Sequence, residues 1–239
     1  MYLENLVFDA VEPQRLGRFW EAVVGGGQLT DEPEGYETRL SIEGGPVLDL
    51  CLQRAPEPPL GSPRLHLDLS GGAHQAQEVA RLLRLGARPL DIGQGDVPWV
   101  VLADPEGNPC CVMEDRAVYA DSGPLAALPL DSADPDRDAQ FWSWLTGWTD
   151  ADGVAPRSLR HPSLRGPLLE MCPEAARKGA TKNRLHLDIR LESADDADGV
   201  AAGITERGGR ELHPGWGELP WRLYADPSGN ELCVLPARS

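Results

Sequence analysis

Lysine is nearly absent from this chain. Only Lys178 and Lys182 occur among 239 residues, and 22 basic side chains face 38 acidic ones, for a net charge of −16. Such a surface repels phosphate backbones and anionic bilayers, which argues against nucleic acid or a membrane as partner. Long apolar runs are missing as well; none reaches the roughly 18 residues that a membrane span needs. The opening Met1-Tyr-Leu-Glu-Asn5 has no basic region leading into an apolar one, so no secretory signal is expected. The five cysteines are odd in number and form no C-x-x-C, so no disulfide framework is expected and a reducing cytoplasm fits best. The chain also lacks G-x-S-x-G, H-E-x-x-H and P-loop motifs, which removes the familiar serine-hydrolase, zinc-helix and nucleotide readings.

What is present is a repeat. Pro98-Trp-Val-Val-Leu-Ala-Asp-Pro-Glu-Gly-Asn-Pro-Cys-Cys-Val-Met113 returns as Pro220-Trp-Arg-Leu-Tyr-Ala-Asp-Pro-Ser-Gly-Asn-Glu-Leu-Cys-Val-Leu235. Asp104 and Asp226 stand 226 − 104 = 122 residues apart, as do Trp20 and Trp142 (142 − 20 = 122). Each copy reads as strand, turn, strand. The flanks are β-branched, aromatic or aliphatic; Pro presets φ in the turn, and Gly tolerates positive φ. A duplication with this offset predicts two domains, 1–117 and 123–239, each large enough for a core. The composition, 41% hydrophobic and 25% charged, is that of an ordinary globular protein.

Within each half the periodicity alternates between strand and helix. Leu16, Phe19, Trp20 and Val23 mark one helical face, closed by Gly25-Gly26-Gly27. That glycine run ends a helix instead of opening one, which argues against a phosphate loop. Tyr36–Ile42 and Pro46–Gln53 read as strands, and Arg54–Pro63 as a proline-rich linker. Leu65-His-Leu-Asp-Leu69 and Leu185-His-Leu-Asp-Ile189 alternate strictly. Their leucines share one face, and His66/Asp68 or His186/Asp188 share the other. Helices are expected at His74–Leu85, Pro135–Leu145 and Ala194–Glu206, and strands at Leu125–Leu130, Ser158–Leu164 and Leu168–Cys172. The first unit reads β-α-β-β, one strand short of the β-α-β-β-β of the second.

The Phe-Trp helix, the central His-x-Asp strand and the closing Asp-Pro-x-Gly-Asn hairpin together resemble the vicinal oxygen chelate superfamily. More narrowly, they resemble its glyoxalase-like, bleomycin-resistance-type domains. The resemblance covers nearly the whole chain. It implies an α+β fold: two tandem domains, each of two βαβββ units, with curved mixed sheets enclosing a cleft. It also implies metal positions at Asn5 and Ala127, at Asp49 and Glu170, at His66 and His186, and at Cys111 and Cys233. Ala127 cannot ligate and the cysteines favour a softer ion such as zinc, so the expected cofactor is a zinc-like divalent metal or none. Two readings follow. In one, the cleft binds a small aromatic or hydrophobic molecule, with Trp99, Trp216 and Trp221 as flat walls and Asp68 and Asp188 as polar anchors. In the other, a metal-dependent lyase, isomerase or dioxygenase uses Glu170 with His186 or Asp49 with His66, the carboxylates Glu170 and Asp49 acting as bases. A monomer or homodimer is expected.

Overall fold

A computed structural model describes residues 1–57, 63–215, 217 and 219–238. Four βαβββ units follow one another. The first has β1 (Tyr2–Ala10), α1 (Pro13–Val24), β2 (Gly27–Glu32), β3 (Gly35–Ser41) and β4 (Val47–Arg54). The second has β5 (Leu67–Gly72), α2 (Gln75–Leu85), β6 (Arg88–Pro89), β7 (Val100–Ala103) and β8 (Pro109–Glu114). The third has β9 (Leu125–Ser132), α3 (Pro135–Thr146), β10 (Thr149–Asp150), β11 (Arg157–Arg160) and β12 (Leu168–Pro173). The fourth has β13 (Leu185–Arg190), α4 (Ala197–Glu206), β14 (Arg210–Leu212), β15 (Arg222–Ala225) and β16 (Glu231–Leu235). No helix is long and apolar enough to cross a membrane among the described residues.

The strand unseen in the first unit is β2. All six of its residues are exposed, so it carries no alternation by which a sequence could betray it. Its neighbour β3 supplies the ladder, pairing antiparallel from Gly27–Arg39 to Glu32–Gly35. Helix α1 begins with Pro13, buries Leu16, Phe19, Trp20 and Val23, and ends at Gly25 with φ +67°. That left-handed cap costs a glycine little and any other residue more.

The sheets do not follow the halves. The first sheet runs β14-β15-β16-β13-β1-β4-β3-β2, joining unit one to unit four. The second runs β10-β11-β12-β9-β5-β8-β7-β6, joining unit two to unit three. The seams are antiparallel: β1 against β13, from Tyr2–Arg190 to Phe8–Leu185, and β5 against β9. Beside the second seam, the buried Arg64 of the first half reaches the second half. Its Nε donates to Asn230 Oδ1 at 2.7 Å, and its Nη2 lies 2.7 Å from Glu174.

The apolar faces of both sheets and the helices meet in one core. Leu6, Phe8 and Leu50 of the first sheet, Leu67, Leu128 and Leu169 of the second, and Trp20 and Phe141 of the helices all belong to it. The repeated hairpin is the joint of this core. Asp104 accepts from the backbone N–H of Glu106 and Asn108, from Asn108 Nδ2 and from Trp20 Nε1 at 3.1 Å. Asp226 repeats the set with Ser228, Asn230 and Trp142 Nε1 at 3.2 Å. The tryptophan of one unit is thus fastened to the turn of the next within each half.

Candidate functional site

The opposite face of each sheet carries the polar strand positions. On the first sheet, β1, β4, β13 and β16 bring Asn5, Cys51, His186, Asp188 and Cys233 to a cleft of about 710 Å³. Asp9, Glu37, Lys182, Trp221, Leu223 and Leu235 are among the other residues that line it. Asn5 Nδ2 donates to Asp188 Oδ2 at 3.1 Å. His186 Nε2 stands 3.4 Å from Asp188 Oδ1 and 3.6 Å from Cys233 Sγ. Burial, then the Asp188 carboxylate, pushes the Cys233 thiol well above the ordinary thiol range. Toward the hairpin the floor turns apolar, with Leu223, Leu235 and Trp221 clustered on Cys233.

Asp49 shares this sheet but is already engaged. Arg39 grips it with Nε on Oδ1 and Nη2 on Oδ2, both at 2.7 Å, and Arg238 stands 3.8 Å away. Both oxygens of this carboxylate are thus taken by one guanidinium.

The second sheet carries the same pattern with a different fate. His66 Nε2 lies 3.3 Å from Asp68 Oδ1, and Cys111 completes a His/Asp/Cys group like that of His186, Asp188 and Cys233. Here an apolar cluster covers part of the face. Val101, Cys111, Met113, Ala127 and Leu168 form an apolar cluster with Tyr119 from the segment joining the halves, and Val118 and Trp99 pack on it. The Trp99 ring carries the Arg116 guanidinium 5.9 Å from its centre. Burial, with Glu170 and Asp68 nearby, pushes the Tyr119 phenol far up. Glu170 accepts from the backbone N–H of Val154 at 3.0 Å, and burial raises its carboxyl above the usual range. It braces a loop on this sheet.

Several sequence expectations are corrected. Glu170 and His186 lie on different sheets, as do Asp49 and His66, so neither pair forms an acid–metal unit. Glu170 is thereby also apart from Cys233, and Asp49 from Cys111. Asp49 and Glu170 are not equivalent either. Across the parallel ladders Asn5 faces Asp49, but Ala127 faces Leu168; Glu170 faces Pro129, as Cys51 faces Val7. The four family positions differ between the sheets. On the first sheet one is an amide already donating to Asp188 and one a carboxylate taken by Arg39. On the second, one is Ala127 and the register partner is Leu168.

Trp221 lines the open cleft and Trp99 the covered face, while Trp216 lies outside the described residues. Glu37 and Arg39 were missed, although the alternation of Tyr36–Ile42 places them on one face. Tyr119 was missed because it sits in a single 3-10 turn, Ala117–Tyr119, with no period to read.

Comparison with known proteins follows the same lines. A family model described as "Glyoxalase-like domain" matches twice, at residues 5–113 and 127–235. No curated protein sequence matches. Among solved structures, glyoxalase I from Zea mays superposes with a TM-score of 0.70 at 16% identity, covering 98% of this chain and 92% of that one. A mutant form of the same Zea mays enzyme gives 0.65 at 14% identity, over 98% of this chain and 93% of its own. A Bacillus subtilis protein proposed as a dioxygenase gives 0.61 at 15% identity, over 100% of this chain and 86% of its own. At such identities the likeness is one of fold.

Proposed function

The chain belongs to the glyoxalase-like domain family, in two tandem copies, and on that premise we propose that it binds a small apolar or aromatic molecule in the cleft over its first sheet. The observation that carries this reading is the asymmetry between the sheets. One concave face encloses about 710 Å³, within the range of small-molecule pockets. The corresponding face of the other is packed with its own Tyr119, Val101, Met113 and Leu168.

The lining suggests how a ligand lies. Trp221, Leu223 and Leu235 offer an apolar wall, where a flat ring gains most from desolvation. Asn5, His186 and Asp188 offer hydrogen-bonding atoms at the opposite end, and the Lys182–Asp9 ion pair, 2.6 Å long, closes the rim. Such a pocket orients an amphipathic molecule with its polar end toward the centre of the sheet.

A titration with the neutral aromatic dye Nile red tests this. Trp221→Ala is expected to weaken binding about tenfold, the effect of losing one aromatic anchor. Trp99→Ala, on the second sheet, is expected to change it less than about twofold. A larger loss with Trp99→Ala than with Trp221→Ala would overturn the choice of cleft.

A further inference from the structure

We propose that the second half carries a binding site for the phosphoryl group of a small phosphate monoester. It lies in a groove of about 420 Å³ between the start of α3, the connection from β12 to β13, β14 and the turn of the closing hairpin. Arg137, Arg177, Lys178 and Arg210 line it beside Gly179 and Ser228. It shares no lining residue with the cleft over the first sheet.

Charge supports it first. The chain has 38 acidic and 22 basic side chains, so most of its surface is negative. The groove reverses that balance: four cations from three segments face two carboxylates, Glu174 and Asp226. Both carboxylates are committed elsewhere. Asp226 holds its four donors within the turn, and Glu174 Oε2 lies 2.7 Å from Arg64. Two of the cations are committed too. Arg137 donates to Asp138 and Ser228, and Lys178 to Glu231 at 3.1 Å. Arg177 and Arg210 are exposed, and neither has an ion pair or a side-chain hydrogen bond among the described residues. Arginines elsewhere are mostly paired, as Arg18 is with Asp31 and Arg157 with Asp136 and Asp150. Two uncommitted guanidinium groups in one groove therefore stand out in this chain.

The duplication supplies the second support. Its offset sets Arg15 against Arg137, Arg88 against Arg210 and Glu106 against Ser228 (228 − 106 = 122). In the first half Glu106 puts a carboxylate at the turn, where it accepts the backbone N–H of Val11 at 3.0 Å and of Glu12 at 2.7 Å. In the second half the Ser228 hydroxyl takes the matching N–H, that of Ala133, at 2.8 Å. The nearest carboxylate there, Asp138, is 1% exposed and held from beneath by Ser132, Ser228 and Arg137. The connection after β12 also brings Arg177 and Lys178, whereas residues 55–63 of the first half contain no basic side chain. One half keeps its own anion at the turn; the other has a hydroxyl and two added cations.

The chemistry of the lining selects the ligand. Guanidinium forks match the oxygens of a phosphoryl group, and an ammonium adds a point charge. A neighbouring cavity of about 300 Å³ shares Lys178, Gly179, Arg210 and Gly229 with the groove and adds Leu212, Pro214 and Leu223. It gives an organic body room beside the cations, which free phosphate would leave unused. The net charge of −16 repels polyanions at long range, but screening limits that field to about 8 Å in physiological salt, so a small dianion can reach the groove.

The site stands whether or not Nile red binds, and its test uses other probes. The full chain is titrated calorimetrically at low salt with phenyl phosphate and with inorganic phosphate, at about pH 8, where the phosphoryl group is a dianion. One equivalent of phenyl phosphate should bind, at least about threefold more tightly than inorganic phosphate. Arg177→Ala and Arg210→Ala should each weaken it about tenfold, the effect of losing one charge-assisted contact. Arg84→Ala removes an exposed arginine from α2 and should change it less than about twofold, as should Trp221→Ala in the open cleft. Absence of saturable binding would overturn the proposal, as would binding unchanged in the folded Arg177→Ala/Arg210→Ala double variant. An equal loss in Arg84→Ala would assign the effect to overall charge and overturn the site. A loss in Trp221→Ala would move the ester to the cleft. Inorganic phosphate bound as tightly as phenyl phosphate would overturn the ester as ligand.

Discussion

Produced separately, residues 1–117 and 123–239 should each fail to give a folded monomer, and produced together they should copurify as a one-to-one complex. The reason lies in the seams. Half of each eight-stranded sheet comes from each half of the chain. Cutting at the duplication exposes β1 and β5 on one fragment and β13 and β9 on the other. All four are central strands with buried apolar faces, and an uncovered central edge invites pairing with another chain. The cut also strands Arg64, 7% exposed, away from Asn230 and Glu174. Size exclusion with circular dichroism checks this. Folded monomeric halves that ignore one another would contradict the observed topology.

Asp226→Ala is expected to cost about 3–5 kcal/mol, among the largest single-site losses in the chain. The carboxylate collects four donors, two from the backbone and one each from Asn230 Nδ2 and Trp142 Nε1, in fully buried surroundings. Alanine leaves all four without an acceptor and opens a void beside the indole. Burial pushes the Asp226 carboxyl up to about 6 while these donors pull it down. Thermal denaturation should register a fall of about 10 °C for a chain of this size. A loss below about 1 kcal/mol would mean that the hairpin aspartate is a turn former and not the joint of the core.

Much of this fold can be read from the residues. The hairpin, the Phe-Trp helix and the His-x-Asp strand have local signatures: turn chemistry, a 3.6-residue period and a two-residue period. They give the four units and the duplication, and they place His66 beside Asp68 and His186 beside Asp188 on one face. What they do not give is which unit pairs with which. The edges of β1 and β13 look alike in sequence whether they meet each other or the neighbouring unit, because backbone ladders carry no side-chain label. The different registers of Asp49 and Glu170 have a similar origin. Leu168 and Glu170 share a strand face, so parity accepts either as the counterpart of Asp49, and only the parallel register with β9 decides for Leu168. The covering of part of the second face by Tyr119 was invisible for another reason. A short turn between domains reads as a linker until the surface beneath it is known.

One sheet carries an open cleft while an apolar cluster of the chain covers part of its duplicate, and methyl-resolved nuclear magnetic resonance with equimolar Nile red tests the choice of cleft most directly. Shifts confined to Leu223 and Leu235 are the predicted result. Shifts at Val101, Met113 and Leu168, with Leu223 and Leu235 unmoved, would contradict it.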